Sequence, residues 1–218
     1  FIDGDVLSDV IARGPLSIPE ALRIARQAAS ALGHAHRHGV IHRDIKPGNM
    51  ILEEGHTWVT DFGIARAMAA DDSATVTSTG VTIGTPAYMS PEQAMGQADL
   101  DGRSDIYSLG CVLFEMLAGK MPFEGPDIQS VMNKQLVESP RRIRDLRPDV
   151  PERVEQLLDI ALAKRREDRF PSAAEFAEAL SLEGAGALTP TRTQPVPGEQ
   201  RKRIRRKPRR AAGAGTSS

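Results

Sequence analysis

Among its 218 residues the chain has a single cysteine, Cys111. No intrachain disulfide can form, which fits a reducing compartment. Cys111 lies in an apolar run, where a lone thiol reads as a small core residue and not as a nucleophile. Long apolar runs are also missing. The longest uncharged one in the globular part, Ile106–Phe114, falls well short of the ~20 residues that span a bilayer. The start, Phe1-Ile2-Asp3-Gly4-Asp5, has no initiator Met and no basic stretch. It does not read as a signal peptide, and it reads as a cut into an ongoing sequence. Internal repeats are absent. With 40% hydrophobic and 26% charged residues, collagen-like, wholly disordered and disulfide-scaffold chains are excluded.

Net charge is almost absent as well, at −1, but that figure joins two unlike parts. Residues 184–218 carry nine Lys/Arg and one Glu, a balance of +8, whereas residues 1–183 carry 19 Lys/Arg and 28 Asp/Glu, a balance of −9. The first part reads as one folded domain. The second has three large aliphatic residues and no aromatic in 35, so burial cannot offset the entropy of ordering it. It is expected to be a disordered Pro/Gly/Thr-containing and basic tail, with eight basic residues in the ten from Arg201 to Arg210.

Helical signals dominate residues 1–183. Residues 5–13 read as a short helix ended by Gly14-Pro15. Ser17, Pro19 and Glu20 mark a second start, a capping residue with its partner three positions on. Ile18, Leu22, Ala25, Ala29 and Leu32 then make one apolar stripe, ending near His38 at Gly39. Ser104–Leu117 is apolar nearly all round, so that helix should be buried and end at Gly119. Residues 151–163 place Val154, Leu157, Leu158 and Ala161 on one face, and Ser172 with Glu175 opens a last helix. Met50–Leu52 and Trp58–Thr60, on either side of Glu53–His56, suggest a β-hairpin. Residues 66–84 lack any sustained period and read as a long loop. The expectation is an α+β, mainly helical domain with five or six helices.

The chemistry sits in His42-Arg43-Asp44-Ile45-Lys46-Pro47-Gly48-Asn49, followed by Asp61-Phe62-Gly63. This pair resembles the catalytic loop and metal-binding motif of protein kinases. Gly84–Glu92 resembles the close of an activation segment, Arg103–Gly110 the start of the central helix of the large lobe, and Asp168-Arg169-Phe170 the element before the last helix. Residues 1 to about 182 therefore resemble the C-terminal lobe of a bacterial, eukaryotic-like serine/threonine protein kinase.

The resemblance implies transfer of the γ-phosphate of ATP to Ser or Thr of protein substrates, with Mg²⁺. Asp44 would orient or accept the hydroxyl proton and Lys46 would face the γ-phosphate; Asn49 and Asp61 would hold the metal and so the nucleotide. Gly63 would allow the turn after Asp61. Thr85 would face the substrate. Thr77 and Thr79 match the activation-loop positions that are phosphorylated, with Arg43 pairing the phosphate. Glu92 and Arg169 match a buried ion pair, and Asp105 a carboxylate that holds the catalytic loop. His34, His36, His38 and His42 read as helix-end and loop histidines rather than a metal cluster.

The family's small lobe brings a Gly-rich loop, a strand Lys and a partner Glu, and none is found before Asp44. The expectation is a truncated catalytic domain, inactive alone; the other reading is a non-catalytic lobe that binds partners through a basic tether. Self-association for phosphorylation in trans is implied, and anionic lipid is favoured over nucleic acid for the basic tail. The expected location is the cytoplasm, or the cytoplasmic side of a membrane-anchored kinase.

Overall fold

The computed structural model describes residues 3–62 and 86–181. Thr77, Thr79, Thr85, Gly63, the whole expected loop 66–84 and the whole tail lie outside the described residues. The first element is a strand, β1 (Asp5–Val6), followed by α1 (Leu7–Ala12). A helix from residue 5 was expected. Asp5 and Val6 pair instead with Leu52 and Ile51, a long-range match that local periodicity does not show. The long helix α2 spans Ile18–Arg37, with Ser17 Oγ accepting from the Glu20 amide as its capping signal predicts.

The hairpin is β2 (Met50–Glu53) and β3 (His56–Val59), and β1, β2 and β3 form one antiparallel sheet in that order. Its turn is tighter than expected, two residues in place of four. Glu54 and Gly55 have φ of +45° and +80°, the paired positive values of a twist-matched two-residue hairpin. Thr60, expected in the strand, lies just beyond it, its amide bonded to the Asn49 carbonyl at 2.9 Å.

Five further helices follow a short turn at Pro86–Tyr88: α3 (Pro91–Ala94), α4 (Arg103–Ala118), α5 (Ile128–Val137), α6 (Ile143–Leu146) and α7 (Glu152–Ala161). The last is α8 (Ala173–Ala179). The described residues thus hold eight α-helices, because α3, α5 and α6 carry too short or too polar a pattern to be seen in sequence. The capping box expected at Ser172 is half formed: Ser172 Oγ accepts the Glu175 amide, and the Glu175 side chain returns to the hydroxyl.

Helix α4 is the axis. Ile106, Tyr107, Leu109, Val112, Leu113 and Met116 are all fully buried. Each aliphatic side chain of this size stabilises the fold by about 1.5–3 kcal/mol when removed from water. Gly110 lets α7 approach, since a Cβ there would sit 3.0 Å from that of Ala161. Gly119 ends the helix in the left-handed region, φ +65°. Helix α2 packs between α4 and α8. No helix among the described residues is long and apolar enough to cross a membrane.

Candidate active site

The loop from α2 to β2 is pegged to the core by alternate side chains. His42, Ile45, Pro47 and Asn49 are buried, and Arg43, Asp44 and Lys46 between them are half-buried. Ile45 is 2% exposed and belongs to the main core, so the loop cannot lift without opening apolar surface. His42 is fully enclosed. Its Nδ1 accepts from the Asp44 amide at 3.3 Å, so its Nε2 carries the proton and donates to the Thr60 carbonyl at 2.8 Å. The ring also packs on Phe62, with centroids 4.7 Å apart.

Asp105, in the first turn of α4, holds this loop by its backbone. Its Oδ1 accepts the Arg43 amide at 2.8 Å and its Oδ2 the His42 amide at 2.9 Å. Oδ2 also meets His36 Nε2 at 2.7 Å. Arg43 has φ +67°, a left-handed value that costs a side-chain-bearing residue energy. The bond from its amide to a buried carboxylate offsets that cost. From the other side, Gln93 Nε2 donates to the Arg43 carbonyl at 2.8 Å.

Asp44, Lys46 and Asn49 converge. Lys46 Nζ lies 2.7 Å from Asp44 Oδ2. Asn49 Nδ2 donates to the Asp44 carbonyl at 2.8 Å and to the same Oδ2 at 3.2 Å. Asp44 Oδ1 takes no bond from the described residues. Asp61, exposed, follows Thr60 and has φ +57°, a second left-handed residue at the site. Because Met50 pairs with Val59, Asn49 and the Thr60–Asp61 step lie side by side. With Asn49 Nδ2 committed to Asp44, its Oδ1 is the atom left for a ligand. An amide oxygen beside a carboxylate is a hard-oxygen donor set that suits Mg²⁺.

Glu92 and Arg169 form the expected buried pair, bidentate at 2.6 and 2.8 Å, and Ser104 Oγ donates to Glu92 at 2.7 Å. Burial alone would push the Glu92 carboxyl up; the Arg169 bonds and charge, with Ser104, outweigh it and hold the group below its usual range. Arg169 also donates to the carbonyls of Ala163, Lys164 and Arg103. Arg43 Nε is buried with no partner among the described residues.

Next to the loop, Tyr88 donates to Glu115 Oε2 at 2.7 Å. Burial raises the Glu115 carboxyl above its ordinary value, against the pull of that bond. A pocket of about 460 Å³ opens here, lined by Ile11, Pro47, Tyr88 and Glu115. His36, Gln93 and Glu115 were not picked out as site residues from sequence. Their partners lie 27 to 69 residues away, and nothing in local spacing announces them.

The protein kinase domain family model matches residues 1–180. Serine/threonine-protein kinase PknA of Mycobacterium tuberculosis is 42% identical over 201 residues, covering 91% of this chain and 45% of PknA. Serine/threonine-protein kinase PknB of Mycolicibacterium smegmatis is 42% identical over 178 residues, 81% of this chain and 28% of PknB. The chain thus spans less than half the length of these relatives. The crystal structure of the Mycobacterium tuberculosis PknI kinase domain superposes with a TM-score of 0.61 at 30% identity, over 83% of this chain and 62% of that one.

Proposed function

The chain belongs to the protein kinase domain family, and from that premise we propose that it supplies the catalytic loop for transfer of the γ-phosphoryl group of ATP to Ser and Thr side chains of proteins. One observation carries the reading: a single carboxylate oxygen, Asp44 Oδ2, is shared by Lys46 and Asn49, which leaves Oδ1 for an acceptor hydroxyl. In this reading Asp44 orients that hydroxyl and takes its proton as the bond to phosphorus forms. Lys46 keeps Asp44 aimed and sets a positive charge beside the transferred group. Asn49 and Asp61 would hold Mg²⁺, which when bound neutralises charge on the phosphates. His42 and Asp105 keep the loop backbone from shifting, so the groups need no reorganisation at the moment of reaction.

The acceptor chain would lie against Pro86–Tyr88 and the neighbouring pocket, with Thr85 facing it. The buried Nε of Arg43, without a partner among the described residues, supports a further part of the reading, pairing with phosphate on Thr77 or Thr79. Self-association for transfer in trans, contact of residues 201–210 with anionic lipid, and a cytoplasmic site of action belong to the same proposal.

The test is incubation of the intact protein with γ-labelled ATP, Mg²⁺ and a protein acceptor, followed by phosphoamino-acid analysis. Label on Ser and Thr that vanishes when Mg²⁺ is chelated is the expected result. Label confined to Tyr, or undiminished without a divalent cation, would overturn it.

A further inference from the structure

Helix α5 is docked in an unusual way. A surface helix normally faces its neighbours with an apolar stripe. Here Ile128 and Val137 are exposed, at 53% and 79%, and the helix's one fully buried residue is Gln135. Its Nε2 donates to the Ala87 carbonyl at 2.7 Å. Its Oε1 is buried with no partner among the described residues. An orphaned buried acceptor carries a desolvation cost that an apolar side chain of similar length would not. For docking alone, leucine or methionine would serve better; what only the amide provides is a donor for Ala87.

The backbone beneath that side chain is braced as well. Lys164 Nζ donates to the Gln135 carbonyl at 2.6 Å and to that of Lys134 at 3.4 Å, both in the last turn of α5. The same ammonium lies 4.1 Å above the Phe123 ring. The Pro86–Tyr88 turn is therefore held from two helices, by Gln135 of α5 at Ala87 and by Glu115 of α4 at Tyr88.

We propose that Gln135 is a positioning residue for the protein acceptor: by fixing the Ala87 carbonyl it sets the backbone of the turn on which the acceptor chain rests. The proposal rests on the kinase reading above. Gln135 touches no reacting atom, so its role is to set how well the acceptor binds and not how fast phosphate moves.

Two variants of the intact protein test it: Gln135→Met, of equal reach without a donor, and Gln135→Glu, of equal shape with an acceptor facing Ala87. Each is measured for acceptor KM, ATP KM, kcat, melting temperature and amide hydrogen exchange over residues 86–90. The expected result for Gln135→Met is an unchanged or higher melting temperature, faster exchange in the turn, and an acceptor KM raised about tenfold. Its kcat and ATP KM should stay within about twofold of wild type. Gln135→Glu should raise the acceptor KM at least as far. An unchanged acceptor KM in Gln135→Met overturns the proposal. So does a loss of kcat and melting temperature together, the mark of a merely structural residue. If the wild type transfers no phosphate, the kinase reading falls, and exchange in the turn then decides separately whether Gln135 holds it; unchanged exchange would overturn that hold too.

Discussion

At the scale of single residues, Asp105 does the most to shape the site. One buried carboxylate receives two consecutive backbone amides and His36, and so keeps Arg43 in a left-handed conformation. Asp105→Ala is expected to leave both amides without their acceptor and to slow transfer by about a hundredfold or more, since misplacing a loop that carries the catalytic groups is felt at that scale. Steady-state kinetics of the variant would check this. Lys164 offers a test by pH. Burial pulls its ammonium down to about 8, below the value it has in an unfolded chain. Between that point and about 10.5 the unfolded chain binds more protons than the folded one, so this group makes stability rise with pH in that window. Urea denaturation of wild type and Lys164→Met at pH 7.5 and 10 should show the wild type gaining on the variant as pH rises. Asp44, Lys46, Asn49 and Asp61 were legible in sequence because their chemistry lies in two short contiguous motifs. Gln135, Gln93 and His36 were not, because the partner of each lies far along the chain.

At the scale of elements, the short ones show what holds a segment that cannot hold itself. Helix α3 has four residues, too few to be stable in isolation. Its capping box is complete, Ser90 Oγ with the Gln93 amide and Gln93 Oε1 with the Ser90 amide. Ser90→Ala should cost about 1 kcal/mol of unfolding free energy, read from denaturant midpoints. The Glu92–Arg169 pair then fastens α3 to the segment before α8. Arg169→Leu leaves a buried carboxylate unpaired and should cost about 3–5 kcal/mol, with Glu92→Met in the same protein recovering most of it. Because Glu92 sits below its ordinary range, the stability that the pair adds is present above the usual carboxylate pKa. It is lost as pH falls through the lowered value. Long elements were read well from pattern: α2 by its stripe and cap, α4 by being apolar all round. Strand β1 was misread as helix because the residues it pairs with, Ile51 and Leu52, lie far along the chain.

At the scale of the whole molecule, the fold is a platform for one loop. A largely buried helix carries Asp105 near one end, bonded to the Arg43 amide, and Glu115 near the other, bonded to Tyr88. The central claim is that Asp44, placed by this platform, serves phosphoryl transfer. The most direct test is the rate of γ-phosphoryl transfer by the intact protein carrying Asp44→Asn, with circular dichroism confirming the fold. The account predicts a fall of about a hundredfold or more, the scale of a lost general base, with ATP binding retained. Transfer at the wild-type rate by Asp44→Asn would contradict it.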